Sequence, residues 1–178
     1  MELSNRDGWA VVHGLVLGTI FLLAFAGGLA GMWSFAWKLV TPEGVRERLR
    51  RLIVGTWGMA VISWAAVITG TYIVYPWYRA APPQGTTGAA LQEYPRSFLL
   101  ADPSLDLWHK FGMEWKEHIA FLAPILATAV AVMVTYYGPR LADKPLVRYA
   151  LMAMFAVAFA SAGIAAVFGA LITKNAPV

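Results

Sequence analysis

Cysteine is absent from this 178-residue chain. Without thiols the chain has no disulfide bond, no thiolate zinc site and no Cys-ligated iron–sulfur cluster. Covalent attachment of a c-type heme is excluded as well, because that linkage needs a Cys-x-x-Cys-His motif. A metal or heme site in this protein therefore has to use other side chains, above all histidine.

Charged residues are scarce, at 13% of the chain, whereas hydrophobic residues make up 59%. Four runs contain no Asp, Glu, Lys or Arg, and each reaches the roughly 20 residues that a membrane-crossing helix needs. These runs are Gly8–Trp37, Leu52–Tyr78, Ile119–Pro139 and Tyr149–Thr173. The pattern predicts an all-α integral membrane protein, a bundle of four transmembrane helices at about 9–37, 52–77, 112–137 and 147–172.

A long connection over about residues 78–110 separates the second and third predicted helices. It is broken by proline and glycine, yet it is too apolar for a fully solvated linker. We expect an outer loop with a short interfacial helix or a cap over the end of the bundle; the alternative is a lid or docking surface for an external partner. Little sequence remains for a soluble domain, so residues 1–178 are predicted to form a single membrane domain. The first apolar run is too long for a signal-peptide core, and we expect it to be retained.

The formal net charge of +4 lies mostly in the connections between the apolar runs. The short first and third connections, residues 38–51 and 138–148, together carry eight Lys and Arg residues. Short basic connections face the cytoplasm, so both termini and the long connection are expected outside. Membrane orientation accounts for this charge without nucleic-acid binding. We expect a prokaryotic inner or plasma membrane.

The chain has three histidines, and all of them lie near the ends of apolar runs. His13 follows Trp9, and His118 follows Trp115, by about one helical turn, or roughly 6 Å along the axis. Because tryptophan favours the membrane interface, both histidines are expected at similar depth near the outer face. Two imidazoles on different helices at one depth are the arrangement that holds a heme b, so His13 and His118 are predicted to ligate a heme iron.

His109 is the third candidate for cofactor binding, but it lies nine residues before His118. On an ideal helix that spacing places the two on opposite faces. His109 with Met113 would instead make a second, more exposed site. Gly14 and Gly18 follow His13 at a spacing that permits close packing of a porphyrin or of another helix.

Three basic side chains are candidates to pair with heme propionates at the outer surface. These are Arg79, Lys110 and Lys116. A second interpretation of the segment from His109 to His118 is a carboxylate–histidine metal site. In that site Glu114, Glu117 and His118 would bind the metal together with His13. A third is a quinol pocket, in which Glu114, Glu117, Tyr72 and Tyr75 accept or relay protons.

Four helices with histidines on different helices look like the small membrane cytochrome b subunits of respiratory enzymes. The resemblance is one of architecture, and it implies an electron-transfer subunit of a respiratory or photosynthetic redox complex. Such a subunit would link quinone or quinol to a partner at the outer face and would not turn over a substrate alone. Its partners would be the lipid bilayer and other subunits of the complex.

The alternative is a non-catalytic structural or assembly subunit that carries no cofactor. Its histidines would then only form hydrogen bonds at the headgroup boundary. A transporter or channel is disfavoured because the four apolar runs lack ionisable groups near the midplane.

Overall fold

The computed structural model describes residues 4–36, 39 and 41–176. Within these residues four helices are long and apolar enough to cross a membrane, and a short fifth helix lies between the second and third of them. The helices are α1 (Asn5–Ser34), α2 (Pro42–Tyr78), α3 (Pro95–Ala101), α4 (Trp108–Asp143) and α5 (Pro145–Asn175). The all-helical class and the four predicted spans are therefore confirmed, and the chain is an integral membrane protein.

Local sequence signals set where the helices begin. Ser4 caps α1 in a capping box with Asp7: the Ser4 hydroxyl accepts from the Asp7 backbone N–H at 3.1 Å, and the Asp7 carboxylate accepts from Ser4. The Thr41 hydroxyl accepts from the backbone N–H of Gly44 at 3.1 Å and caps α2. Proline opens α2 and α5, where its missing N–H costs no helical hydrogen bond.

The helices extend beyond most of the predicted bounds, except that α1 ends at Ser34 and the described residues 35 and 36 are not helical. Helix α2 begins at Pro42 instead of residue 52, because the arginine-rich stretch before Leu52 is helical too. Absence of charge therefore located the membrane-crossing part of each helix but not its ends. The predicted end of the first helix at residue 37 lies outside the described residues.

The predicted outer loop of residues 78–110 is not confirmed as a loop. After α2 ends at Tyr78, the chain forms a 3₁₀ helix at Gly88–Glu93 and then α3, and α4 begins at Trp108. Leu99 of α3 is fully buried, so α3 is packed against protein. The expected short helix is present; its location at the outer membrane surface stays a prediction.

The chain divides into two compact units, each containing parts of all four long helices. Unit 1 comprises Met1–Gly18, Ala65–Phe121 and Gly163–Val178, and unit 2 comprises Thr19–Trp64 and Leu122–Ala162. The core of unit 2 is a set of buried apolar side chains from all four helices, among them Met32, Met59, Val130 and Phe155. The prediction of one membrane domain over residues 1–178 stays a prediction.

Unit 1 has a smaller apolar cluster and an irregular backbone. Tyr78, Leu99, Met113, Ile172 and Ala176 form the cluster. Each of the three described π-helical segments lies in this unit, at Val11–Leu17, Gly70–Val74 and Trp108–Met113. π-Helical turns are rare and are frequent at functional sites, and two of these three contain a histidine. These features indicate that unit 1 contains the candidate functional site.

Candidate functional site

His13 is held against α2 by its ring nitrogen and by its flat face. Its Nδ1 lies 2.7 Å from the carbonyl oxygen of Ala66 and 3.5 Å from the hydroxyl of Thr69. The ring packs on Gly70, where an added Cβ would lie 2.6 Å from His13 Cε1. Since a carbonyl oxygen can only accept, Nδ1 carries the proton in this bond, and the Nε2 lone pair is left for another partner.

His118 has the same bond at its ring, made within its own helix. Its Nδ1 lies 2.9 Å from the carbonyl oxygen of Glu114 and 3.6 Å from the Glu114 carboxylate. The His118 side chain is 68% exposed, in contrast to the half-buried His13. A histidine that ligates a metal normally donates its other ring N–H to a carbonyl, a carboxylate or water. His13 and His118 both meet that condition.

His109 differs, because both of its ring nitrogens are occupied. Arg96 Nε donates to His109 Nε2 at 3.3 Å, and the Tyr78 hydroxyl lies 2.9 Å from His109 Nδ1. An arginine cannot accept, so Nε2 must be the accepting nitrogen and a neutral His109 carries its proton on Nδ1. Nδ1 then donates to the Tyr78 oxygen. In this arrangement His109 has no lone pair for a metal, alone or with the buried Met113.

Five polar side chains around His109 form with it what we call the polar cluster. They come from α2, from the residue that follows α2, from α3 and from α4: Tyr75, Tyr78, Arg79, Arg96, His109 and Glu117. Arg79 donates to the Tyr75 hydroxyl at 3.1 Å and its guanidinium lies 5.4 Å from the centre of the Tyr75 ring. Glu117 lies close enough to Tyr75, Tyr78 and His109 to interact with each of them electrostatically. It is the one carboxyl group among these six residues.

One oxygen of Glu117 is buried without a protein partner. Among the described residues, Glu117 Oε1 and the indole nitrogen Trp115 Nε1 are buried and form no hydrogen bond. Buried polar atoms are nearly always paired with protein or water, so an unpaired one needs an explanation. A water molecule, or a bound molecule with a hydroxyl group, would donate a hydrogen bond to Glu117 Oε1.

Lys116 of α4 lies against α5. Its ammonium occupies the space beside Gly169 of α5, where a Cβ would come within 2.7 Å of Nζ. Its charge also acts on His13. Lys116 and His118 are two residues apart in α4 and point to different faces of that helix, so of the two predicted ligands it is His13 on which the predicted propionate partner acts.

The remaining predicted site residues are open on the protein surface. A Cβ at Gly14 or Gly18 would meet no described atom within 4 Å, so packing within the described chain does not require these glycines. Tyr72 is 76% exposed, and Glu114 is exposed as well. In the described part of the chain, no three His, Asp or Glu side chains gather into a metal-binding group, so the alternative carboxylate–histidine site lacks support. A heme iron needs only two protein ligands and is unaffected by this finding.

Three residues of the site had no place in the sequence-based prediction: Gly70, Tyr78 and Arg96. A glycine inside a helical pattern costs about 1 kcal/mol relative to alanine, and this local cost is the sequence signal that could have drawn attention to Gly70. Nothing local could have paired Arg96 with His109, because that contact depends on the position of α3.

Comparison with known proteins gives no match to a family model, a curated protein or a solved structure. A functional interpretation of this chain therefore depends on its own residues and their geometry.

Proposed function

We propose that this chain is a membrane-embedded electron-transfer subunit that binds heme b through His13 and His118. The observation that carries the proposal is the shared geometry of these two histidines in unit 1. Each directs Nδ1 to a backbone carbonyl, at 2.7 and 2.9 Å, and keeps Nε2 for another partner. His109 is assigned a structural role because both of its nitrogens are already used.

The surroundings of His13 support a large flat cofactor. Gly14 and Gly18 leave open space on the helix that carries His13, which suits a porphyrin lying against backbone. Lys116 and Arg79 are available for propionates, since cations form strong hydrogen bonds with carboxylates. When bound, the heme would supply the one-electron chemistry; the residues of this chain would hold and orient it.

The polar cluster supports proton handling beside the heme site. A quinol releases two electrons and two protons when it is oxidised, so its site needs a proton acceptor next to an apolar surface. Glu117 suits this role best, because its buried Oε1 is unpaired and Tyr75 lies next to it. Glu114 and Tyr72 are exposed on the surface of the chain and would serve only to pass protons outward.

In this proposal the subunit acts within a larger complex. It carries electrons between quinone or quinol and a partner at the outer face of a prokaryotic inner or plasma membrane. Both termini face outward, as the short basic connections suggest. The chain alone does not convert a substrate.

A cofactor-free structural subunit is the second candidate, and the contacts of His13 favour it. The Ala66 carbonyl accepts the hydrogen bond of Nδ1, and one face of the ring packs against Gly70. Neither contact requires a bound group. In that case His13 joins α1 to α2 and nothing more. A spectrum distinguishes the two functions directly.

The test is a reduced-minus-oxidised visible spectrum of the protein purified from a heme-producing host. The proposed function predicts sharp b-type bands that His13→Ala and His118→Ala each abolish, and that His109→Gln retains. To separate ligation from folding, His118→Gly is measured with and without added imidazole, which should restore the bands. A colourless wild-type protein would favour the structural subunit, whereas bands that survive both ligand substitutions would overturn the assignment of His13 and His118 as the heme ligands.

A further inference from the structure

Unit 2 contains a groove along α1 and α2 that the proposed function does not use. It has a volume of about 590 Å³, within the ~300–1,000 Å³ typical of small-molecule sites. Eleven residues line it, and four of them are glycines: Ala24, Gly27, Gly28, Gly31, Ser34, Arg48, Arg51, Leu52, Gly55, Thr56 and Met59. The groove is thus mostly apolar along its length, with two arginines in its wall.

The contacts along the groove place its arginines at one end. Arg48 donates to the carbonyl oxygen of Ser34 at 3.5 Å. One helical turn earlier in α1, a Cβ at Gly31 would lie 3.3 Å from Leu52, and at Gly28 it would lie 3.7 Å from Met59 Sδ. The two helices therefore run antiparallel, and the groove passes from a cationic end at Ser34 to an apolar end at Met59.

Helix packing explains only some of the glycines. Gly28 is required, because a Cβ there would lie 2.8 Å from the Phe155 ring. At Gly27 and Gly55 a Cβ would meet no described atom within 4 Å. These two glycines do not permit a closer contact within the described chain; instead, they leave the groove open.

The cationic end has an excess of positive charge. The first part of α2, residues 42–51, contains four arginines and two glutamates. Glu47 pairs with Arg51 at 2.7 Å and with Arg50 at 3.5 Å, and no other ion pair involves these arginines among the described residues. A single carboxylate thus serves two arginines, and Arg48, which has no ion-pair partner among the described residues, is left for an anion.

We propose that this groove binds one anionic phospholipid, with its phosphate at Arg48 and Arg51 and an acyl chain along Gly27, Gly31 and Gly55. Basic pockets between membrane helices bind anionic headgroups, and a slot lined by glycine admits a narrow chain. A second copy of the protein fits less well. In the same membrane orientation it would bring its own Arg48 and Arg51 to the level of the first pair, where like charges repel.

Native mass spectrometry of the detergent-purified chain tests the proposal with phosphatidylglycerol and with phosphatidylcholine of identical acyl chains. One phosphatidylglycerol should remain bound per chain, and phosphatidylcholine should be lost. The double variant Arg48→Gln/Arg51→Gln should bind phosphatidylglycerol roughly thirtyfold more weakly, because each arginine lost removes about 1 kcal/mol of attraction to the headgroup. The matched control Arg46→Gln/Arg50→Gln removes the same charge outside the groove and should keep the lipid.

A second pair of variants tests the apolar part of the groove while all arginines remain. Gly55→Leu fills the groove and should release the lipid. Gly58→Leu, three residues on and outside the lining, should retain it. Equal loss in both arginine variants would mean diffuse attraction to the surface and overturn the proposal. So would a dimer that forms without lipid and is dissociated by Gly55→Leu, because the groove would then bind a helix.

Discussion

Trp57 donates its indole N–H to the hydroxyl of Thr135 at 3.0 Å, joining α2 to α4 within unit 2. The same bond recurs seven residues on, where Trp64 donates to Thr128 at 3.0 Å. Each threonine in turn donates to a backbone carbonyl of its own helix. The two tryptophans are 40% and 37% exposed, so their rings also cover the surface of the helix pair.

The Trp57–Thr135 bond should contribute measurably to stability. In a double-mutant cycle with Trp57→Phe and Thr135→Val, we expect a coupling free energy of about 0.6 kcal/mol, the average for polar contacts between membrane helices. Chemical unfolding in mixed micelles measures it. The crossed pair, Trp57→Phe with Thr128→Val, is the control and should show no coupling. Equal coupling in both pairs would contradict an assignment to individual bonds.

The contact of His13 with Gly70 should make residue 70 intolerant of any side chain. Gly70→Ala forces the ring away from Ala66, and we expect a loss of about 1–3 kcal/mol in the free energy of unfolding, as for other overpacked sites. Gly163→Ala is the matched control in unit 1, because a Cβ there meets no described atom within 4 Å. Since alanine favours helix more than glycine, the control should be neutral or stabilising. A Gly70→Ala protein as stable as the control would show that the ring is free to move.

Arg96 should hold α3 in place through His109. Arg96→Met keeps most of the length of the side chain and removes the donor that reaches His109 Nε2 at 3.3 Å. Hydrogen exchange of the α3 amides should then accelerate roughly tenfold, from the loss of one hydrogen bond of about 1.4 kcal/mol. Arg79→Met removes a comparable side chain that contacts Tyr75 instead, and it should leave α3 unchanged. Equal acceleration in both variants would assign the effect to general loosening of unit 1.

Asp102, in the turn after α3, should titrate at unusually low pH. The Ser104 hydroxyl donates to it at 2.7 Å and the Ser104 backbone N–H at 2.8 Å, and both bonds lower the pKa of the Asp102 carboxyl. A carboxyl whose folded pKa lies below its unfolded value stabilises the fold above the unfolded pKa, near 3.9. That contribution is lost as the pH falls through the folded pKa.

Carbonyl NMR of the labelled protein in micelles would follow this titration. Ser104→Ala removes the hydroxyl bond and keeps the backbone bond, so the midpoint should rise part of the way towards the usual value. Ser97→Ala, in α3, serves as the control and should leave the midpoint unchanged. A wild-type midpoint at the usual aspartate value would show that the turn is open in solution.

The sequence predicted the membrane-crossing part of this fold because charge is costly in lipid whatever the neighbours are. The same signal could not place the ends of the helices. Arg48 and Arg51 are charged and yet helical, since a charged residue ends a hydrophobic run without ending a helix. Helix ends depend on capping residues such as Thr41. A cap involves only a few residues, so its signal in the sequence is weaker than that of a long apolar run.

The histidines show a similar limit at the level of the site. Helical spacing separated His109 from His118, and the structure places the first in a buried polar cluster and the second on the surface. Spacing could not show that Arg96 and Tyr78 occupy both nitrogens of His109, because those partners come from α3 and α2. The pairing of His13 with Gly70 was equally hidden, since it joins residues 57 positions apart across two helices.

The wide turns of unit 1 have a consequence for how this sequence can vary in length. A π-helical turn closes its hydrogen bond over five residues instead of four, so each such turn contains one residue more than an α-helix would need. Removing one residue within Val11–Leu17 would let α1 wind as a regular α-helix, and the residues on either side would keep nearly their present faces, because the wide turn already contains the extra residue. A deletion in a regular part of the helix would instead rotate everything before it by about 100° relative to the rest. The π-helical segments of unit 1 are thus the places where these helices can lose a residue without changing which faces their ends present.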